Sequence, residues 1–239
     1  MVDRLCVVMP VYNEQAVVGM VLSKWVRTLD GLDIDYSIRP YDDGSKDATL
    51  SVLEAQAAQL PRVDVRHHPN AGHGPTILRG YREAAADGFD WIFQLDSDDE
   101  MGPEKFSDLW RRRDEYDFLI GRREGRKSAW SRRIVSFVSR LCVRLCYGKS
   151  VWDVNSPYRL MRVSAFADAF RKIPSATFAP NVILSGVAAR LKLRCLEIPV
   201  PQHARTTGVV SIRKLRLLKA AVKSFVQTVA FSREFVSNS

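Results

Sequence analysis

The chain has few cysteines and no long apolar run, and each absence excludes a class of protein. It has 239 residues with 4 cysteines, and none of these forms a Cys-x-x-Cys pair. The sequence therefore predicts neither a disulfide framework nor a zinc site, which is typical of a reducing, cytoplasmic protein. Its apolar runs are too short to cross a bilayer, and we expect no signal peptide because the first predicted strand begins almost at once. The protein is expected to be soluble or to lie on a membrane surface.

Acidic residues are missing from two long stretches of the second half. Residues 125–152 contain seven Lys or Arg residues and residues 199–232 contain six, and neither stretch contains Asp or Glu. The net charge of the whole chain is +9, which favours an anionic partner: nucleic acid, anionic lipid or a phosphorylated substrate. No nucleic-acid-binding motif or interleaved aromatic platform accompanies the charge. We therefore expect a lipid surface or a phosphorylated substrate, and no nucleic acid.

The first half alternates short β-rich runs with helical patterns. Strands are predicted at residues 5–9, 34–41, 63–65, 91–95 and 118–120, with a later one at 196–200. Helices are predicted at residues 14–29, 48–59 and 76–86. This alternation indicates an α/β fold, with a mostly parallel central sheet flanked by helices. In such sheets ligands bind outside the carboxyl ends of the strands. We find no internal repeat, and expect one domain over residues 1–239.

The densest negative charge of this basic chain follows the predicted strand at 91–95. Asp96, Asp98, Asp99 and Glu100 fall within five positions of the segment LDSDDE. One interpretation is a helix start, because carboxylates near Pro103 would be stabilised by the positive end of the helix dipole. The other is an Asp-x-Asp site at Asp96 and Asp98 for Mg²⁺ or Mn²⁺. These ions prefer carboxylate oxygens and are often shared with substrate phosphates.

Two other polar clusters at predicted strand ends suit a nucleotide. Asp42 and Asp43 can accept hydrogen bonds from a base or ribose, although an Asp-Gly turn also accounts for acids here. Gly72 and Gly74 open a predicted helix, which suits close approach of a phosphate or sugar. His73 between them is either a diphosphate contact or an exposed turn residue. The spacing matches neither a P-loop nor the dinucleotide fingerprint.

These clusters carry a resemblance to a known family. VVMPVYNE, DDGSKDAT, NAGHGPTILRGYREA, FQLDSDDEMGP and LIGRR occur in the order and spacing of family 2 glycosyltransferases with the GT-A fold. SRRIVSF, WDVNSPYRLMR and HARTTG are similar to the branch that acts on polyprenyl phosphates, the dolichyl-phosphate mannose synthases among them. The resemblance implies a nucleotide-sugar-binding half at 4–121, an acceptor half at 122–212 and a C-terminal amphipathic helix at 213–233.

Taken together, the motifs and the resemblance assign roles to individual residues. Donor-binding residues are expected to be Pro10, Tyr12, Glu14, Asp42, Asp43, Gly72, Gly74, Asp96, Ser97 and Asp98. Metal contacts are expected from Asp96, Asp98 and Glu100. The catalytic group is expected to comprise Asp153, Arg122 and Arg132. Contacts with the acceptor phosphate are expected from Arg132, Arg133, Ser136 and Arg205.

Two segments of the basic half combine an apolar stripe with flanking cations. In residues 131–147 the stripe consists of Ile134, Phe137, Val138, Leu141 and Leu145. In residues 215–229 it consists of Leu215, Leu218, Val222, Phe225 and Val229. Either these basic amphipathic helices pack on the core, or they lie on an anionic leaflet with the apolar stripe among the headgroups.

The resulting hypothesis is an inverting, metal-dependent glycosyltransferase at the cytoplasmic face of a membrane. It would move a sugar from GDP-mannose or a UDP-sugar to a polyprenyl phosphate or related lipid. An acceptor phosphate is already ionised and leaves Asp153 as an orienting group, whereas an alcohol needs Asp153 as general base. The alternatives are an alcohol-bearing lipid or saccharide acceptor, and a non-catalytic nucleotide-sugar-binding protein. The sequence leaves the oligomeric state open.

Overall fold

A seven-stranded sheet forms the centre of the computed structural model, which describes residues 2–124, 130–203 and 214–237. Across the sheet the strand order is β3-β2-β1-β4-β6-β5-β7. The strands are β1 (Arg4–Val11), β2 (Asp35–Asp42), β3 (Arg66–His67), β4 (Trp91–Gln94), β5 (Phe118–Glu124), β6 (Arg159–Arg162) and β7 (Cys195–Pro201). Only β6 runs antiparallel to its neighbours in this sheet. The expected mostly parallel sheet is confirmed.

Helices cover both faces of the sheet. They are α1 (Val18–Asp30), α2 (Thr49–Ala57), α3 (His73–Ala86), α4 (Phe106–Arg111), α5 (Trp130–Tyr147), α6 (Val163–Lys172), α7 (Pro180–Arg190) and α8 (Lys214–Ser237). One hydrophobic cluster joins a sheet face to α1, α2 and α4, and a second joins the other face to α3 and α5–α8. Within the described part of the chain, no helix is both long and apolar enough to span a membrane.

The strand β1 shows how the sequence builds both clusters. Leu5, Val7 and Met9 belong to the cluster under α1, whereas Cys6 and Val8 belong to the cluster under α3. Successive side chains of a strand point to opposite faces, so a strand covered on both sides is a continuous apolar run. β1 also marks the point where the chain, after β2 and β3, returns to the other side as β4. Ligands bind at such a switch point in open parallel sheets.

Three predicted boundaries are corrected by the structure. The predicted strand at 63–65 contributes only an isolated bridge between Val63 and Ile38, and β3 lies at 66–67. The helix expected from 76 begins at His73, because Gly72 has a φ of 96° and its carbonyl accepts the Thr76 N–H at 3.1 Å. A turn occupies 15–17, so that the first helix begins at Val18 rather than at residue 14.

The second half contains more regular structure than its sequence suggests. Its elements α6, α7 and β6 were not predicted. β6 is four residues long and reads RLMR, so the buried Leu and Met lie between two arginines and give no clear alternation. α7 is buried over most of its length, which removes the polar face that would mark a helix in the sequence.

Most described side chains of the two apolar stripes are exposed, whereas Val229 is half-buried. In α5, Phe137, Val138, Leu141 and Leu145 are exposed, and Cys142, Val143 and Tyr147 are buried instead. In α8, Val222 and Phe225 are exposed, together with Val226. The buried side chains of α8 are Ser224, Thr228, Phe231 and Ser232. Both helices therefore pack on the core, as the first interpretation expected, but through residues other than the exposed ones of the stripe.

Candidate active site

Eight of the predicted donor residues line one cavity of about 320 Å³ at the carboxyl ends of β1, β2 and β4. These are Pro10, Tyr12, Glu14, Asp43, Gly72, Asp96, Ser97 and Asp98. Val11, Asn70, His73 and Thr76, which were not among the expected donor residues, complete the lining. The parallel sheet brings these residues together because the strands that precede them end at the same edge.

The other two predicted donor residues lie behind the wall of this cavity. Asp42 is fully buried, with Oδ2 at 2.7 Å from Nδ1 of His67. Gly74 is buried, and a Cβ at this position would lie 2.3 Å from the carbonyl oxygen of Phe178. Glycine at 74 is therefore required for close packing of α3 against the segment before α7.

The carboxylate of Asp43 organises the turn that forms one side of the cavity. Its Oδ1 accepts the N–H of Ala71 at 2.6 Å, and its Oδ2 accepts the N–H of Gly72 at 2.9 Å. Its main-chain oxygen accepts Nδ2 of Asn70 at 2.8 Å. A carboxylate that accepts backbone N–H groups in this way is held in one orientation. Asp43 thus couples the end of β2 to the start of α3.

A buried polar network connects Asp96 to the core. Nε2 of Gln94 donates to Oδ1 of Asp96 at 3.2 Å. Oε1 of Gln94 accepts Nδ2 of Asn181 at 2.7 Å and the hydroxyl of Tyr81 at 2.8 Å. The Asp96 side chain is about one-third exposed and lies 3.8 Å from Nε2 of His73. Asp96 is thus anchored from below and open to the cavity.

The remaining acids of LDSDDE separate into different environments. Oδ1 of Asp98 accepts the N–H of Glu100 at 3.2 Å, which closes the turn. Asp99 has a φ of 55° and its side chain leaves the cavity to pair with Lys24 at 3.2 Å. A 3₁₀ helix begins at Pro103, as the helix-start interpretation expected. The helix start at Pro103 is confirmed, whereas the metal role of Asp96 and Asp98 stays a prediction.

Glu100 lies in a second, small cavity next to the first. Asp96, Asp98 and Arg123 line the same cavity. The carboxylate of Glu100 accepts a hydrogen bond from the Gln202 side chain, and its carbonyl accepts the N–H of His203 at 2.8 Å. The segment after β7 is thereby attached to the acidic turn.

The carboxylates suit a divalent ion only when a ligand shares it. Over the described residues, no group of three or more His, Cys, Asp or Glu side chains is arranged to hold a metal ion. Asp96 and Asp98 do line the same cavity. Mg²⁺ is commonly bound by one or two carboxylates, with substrate phosphates and water completing its shell. The residues present fit this shared type of site.

Neighbouring arginines at the end of β5 have different surroundings. Arg122, the predicted phosphate-facing residue, pairs with Glu124 at 3.2 Å and its side chain is 43% exposed. The Arg123 side chain is 15% exposed and donates to both oxygens of Asp153, at 2.7 and 2.8 Å. Burial lowers the pKa of Arg123, but the hydrogen bonds with Asp153 and the negative charges of Asp153, Asp96 and Glu100 together raise it by more, so that the net pKa is above its ordinary value. The structure thus joins Asp153 to the small cavity through Arg123, which the sequence did not single out.

Arg159 is a second arginine that the sequence interpretation missed. It is fully buried and donates to the carbonyl oxygens of Ser156 at 2.7 Å, Asn181 at 3.0 Å and Val154 at 3.3 Å. Burial lowers its pKa to about 10. Arg159 fixes the loop that follows Asp153. Its place in the motif WDVNSPYRLMR was the available signal.

Most of the predicted acceptor residues cannot be assigned contacts. Arg132 and Arg133 belong to α5, but their side chains lie outside the described residues. Arg205 also lies outside the described residues. Ser136 is exposed on α5. The acceptor assignments therefore stay predictions.

A mostly parallel sheet with an Asp-x-Asp turn and a cavity of about 320 Å³ at its carboxyl edge defines an α/β fold of the GT-A type. Residues 6–170 match the family described as Glycosyl transferase family 2. The chain belongs to this family.

One curated relative shares more of the sequence than the solved structures do. Over 221 residues the chain is 31% identical to the undecaprenyl-phosphate 4-deoxy-4-formamido-L-arabinose transferase of Edwardsiella ictaluri (strain 93-146). The match covers 91% of this chain and 65% of the relative, so the chain spans about 65% of the relative's length.

Solved structures share the fold at low sequence identity. Glucosyl-3-phosphoglycerate synthase from Mycobacterium tuberculosis, with Mn²⁺, UDP-glucose and glycerol 3-phosphate, has a TM-score of 0.65 at 17% identity, over 96% of this chain and 80% of that one. TarS from S. aureus in complex with UDP has a TM-score of 0.57 at 18% identity, over 94% and 65%. Identities this low establish the fold alone.

Proposed function

We propose that the chain transfers a sugar from a nucleotide-sugar, GDP-mannose or a UDP-sugar, to a polyprenyl phosphate or related lipid. The observation that carries the proposal is the convergence of eight expected donor residues on one cavity. The curated relative is named for transfer involving undecaprenyl phosphate, and two neighbours in fold bind UDP or UDP-glucose. Asp96 and Asp98 would hold Mg²⁺ or Mn²⁺, which when bound supplies positive charge to the leaving diphosphate.

Within this proposal the donor is oriented by fixed groups of the chain. Asp43 faces the cavity with its carboxylate already held by two backbone N–H groups, at the side expected to bind the base. The first turn of α3 begins beside Asp96, with Nε2 of His73 at 3.8 Å from Oδ1 of Asp96, and a diphosphate there would be favoured by the helix dipole. The sugar would then point toward Arg123 and Asp153.

The contact between Arg123 and Asp153 favours an acceptor that is already ionised. Both oxygens of Asp153 accept hydrogen bonds from the guanidinium group of Arg123. Protonating this carboxylate would weaken a charge-assisted pair, which makes it a poor general base. A phosphate monoester needs no such base. Its oxygen attacks the anomeric carbon directly, which inverts the configuration.

The exposed apolar stripes of α5 and α8 suit a membrane carrying that acceptor. Phe137, Leu141 and Leu145 on α5 are exposed in a stretch that has no acid between residues 125 and 152. An apolar stripe flanked by cations binds an anionic leaflet through burial of its apolar side chains and through attraction of its cations to the anionic lipids. We therefore place the chain at the cytoplasmic face of a membrane, as a peripheral protein.

The proposal is tested by transfer assays with Asp98→Asn. Wild-type protein with Mn²⁺ or Mg²⁺ is expected to transfer sugar from UDP-glucose, UDP-N-acetylglucosamine or GDP-mannose to undecaprenyl phosphate. Replacing Asp98 should lower kcat about 100-fold or more, the usual effect of losing a group that stabilises transition-state charge. Chelation by EDTA should have the same effect.

The matched control is Asp99→Asn, which changes an adjacent acid that pairs with Lys24 outside the cavity. This variant should retain most of the activity. Full activity of Asp98→Asn, or of chelated enzyme, would exclude the metal role. A product that keeps the donor's anomeric configuration would exclude direct displacement.

A further inference from the structure

Glu197 on the edge strand β7 is attached to the loop that carries Asp153. Its carboxylate accepts the backbone N–H of Trp152 at 2.7 Å and that of Asp153 at 3.1 Å. Glu197 lies in the middle of β7, opposite Ile120 of β5. A charged residue on an edge strand commonly serves only to prevent pairing with other chains. Two hydrogen bonds to consecutive N–H groups indicate a more specific role.

Asp153 is therefore held at two separate groups of atoms. Glu197 fixes its main-chain N–H, and Arg123 fixes both oxygens of its side chain. The loop beyond is closed by the Ser156 N–H, which donates to the carbonyl of Asp153 at 3.1 Å. When the backbone and the side-chain end are both fixed, a carboxylate has little freedom to leave its position.

The loop also stays folded for reasons independent of Glu197. Val151 and Val154 are buried on either side of the Trp152–Asp153 pair. Glu197 itself lines an open cavity of about 870 Å³, from which water can reach the two N–H groups if the carboxylate is removed. A variant at 197 is therefore expected to fold and to lose the orientation of the loop rather than the loop itself.

We propose that Glu197 is a positioning residue for the transfer reaction, acting through the backbone of Trp152 and Asp153. The inference rests on the proposed function, because it gives Glu197 the task of placing Asp153 beside the reacting sugar. It predicts a loss in kcat with little change in the KM for the nucleotide-sugar, since the donor cavity is lined by other residues. Misplacement by about 1 Å of a group that orients the sugar can cost about 100-fold in rate.

The first test measures the hydrogen bond without using activity. Selective ¹⁵N-tryptophan labelling of the protein gives five backbone amide signals, one from each tryptophan, and the Trp152 signal is assigned with Trp152→Phe. In Glu197→Ala the Trp152 amide should exchange with D₂O about tenfold faster or more. Glu197→Gln keeps one accepting oxygen and should give an intermediate rate. Glu115→Ala, which removes an exposed partner of Arg112, is the matched control and should leave the rate unchanged.

The second test is a double-mutant cycle with Asp153→Asn in the transfer assay. Glu197→Ala should lower kcat about 10- to 100-fold, with partial recovery in Glu197→Gln. In an Asp153→Asn background the same change should have almost no further effect, because Glu197 acts through Asp153. Additive losses, an unchanged kcat or an unchanged exchange rate would overturn the inference.

If the wild-type chain transfers no sugar at all, the proposed function fails and the role of Glu197 in the reaction fails with it. The exchange rate then still decides whether Glu197 anchors the loop.

Discussion

At the scale of single residues, Asp43 connects local geometry to donor binding. The acid is nearly fully buried, yet its carboxylate reaches the wall of the donor cavity. Each of its two carboxylate oxygens accepts a different backbone N–H, one from Ala71 and one from Gly72. The side chain therefore has a structural task in the free protein that a base-binding role alone would not require.

Asp43→Asn is expected to weaken both the turn and the donor site. The amide places an NH₂ group against one of the two backbone N–H donors, and loss of such a charge-assisted bond costs about 1.5–3 kcal/mol. We expect the Kd for UDP-glucose or GDP-mannose, measured calorimetrically with Mn²⁺, to rise about tenfold or more, with a lower Tm. Asp47→Asn, outside the cavity, should leave the Kd unchanged. A lower Tm with wild-type affinity would confine Asp43 to the turn.

The two arginines at the end of β5 show what the sequence pattern does not determine. The segment IGRR offers two arginines, and the resemblance points to Arg122, whereas the structure directs Arg123 toward Asp153. The sequence alone does not place the loop between α5 and β6 relative to the end of β5. That loop decides which arginine pairs with Asp153, because Asp153 lies thirty positions further along the chain.

At the scale of elements, α5 and α8 have apolar faces on the side away from the core. α5 contacts α7 and α8, using Cys142, Val143 and Tyr147, while the leucines at 141 and 145 face outward. α8 contributes small hydroxyl side chains to the same packing. The apolar stripe read from the sequence is therefore real, but it faces outward.

Replacing Leu141 and Leu145 by Ser should weaken membrane binding without unfolding α5. Both leucines are exposed, so the Tm should stay near wild type, while about tenfold or more of the affinity for anionic vesicles is lost. Cosedimentation with vesicles of phosphatidylglycerol and phosphatidylcholine measures this. Binding should also fall as salt is raised, because the attraction is partly electrostatic.

Met20→Ser removes an exposed apolar side chain on α1 and is the matched control. It should bind vesicles like the wild type. Equal vesicle binding by the double leucine variant would exclude this face as the membrane contact. If that variant instead changed from dimer to monomer in solution, the face would be a contact between copies of the chain.

At the scale of the whole molecule, Asp117 connects the strands of the second half of the sheet. It precedes β5 and accepts hydrogen bonds from Arg194 before β7, at 2.7 and 3.0 Å. Arg162 at the end of β6 lies 3.4 Å away. Hydrogen bonds from Arg194 hold the pKa of Asp117 below its usual range, against the raising effect of burial.

Asp117→Asn should destabilise the protein at neutral pH more than in acid. Because the pKa is depressed in the folded state, the ionised carboxylate stabilises folding above the unfolded value of about 3.9. That contribution is lost as the pH falls through the folded pKa. Thermal unfolding followed by circular dichroism should give a lower Tm at pH 7, and the difference in Tm from wild type should narrow near pH 3.

Asp168→Asn, which changes an exposed acid of α6, should show little effect on Tm at either pH. An equal gap at both pH values would exclude the ion pair as the cause.

The sequence by itself determined the α/β class, the mostly parallel sheet and most of the residues that line the cavity at the strand ends. It could do so because strand ends in a parallel sheet converge, and the polar clusters at those ends are local in the chain. Eight of those residues do line one cavity.

Only the tertiary structure decided which arginine meets Asp153, which side of α5 is covered, and that Glu197 holds the Asp153 loop. These depend on contacts between residues 30 to 81 positions apart. Such contacts are set by the packing of β5, β7 and α7 together, and leave no periodicity or spacing in the sequence. The physical reason is that a local pattern records which face of an element is apolar, but not what that face meets.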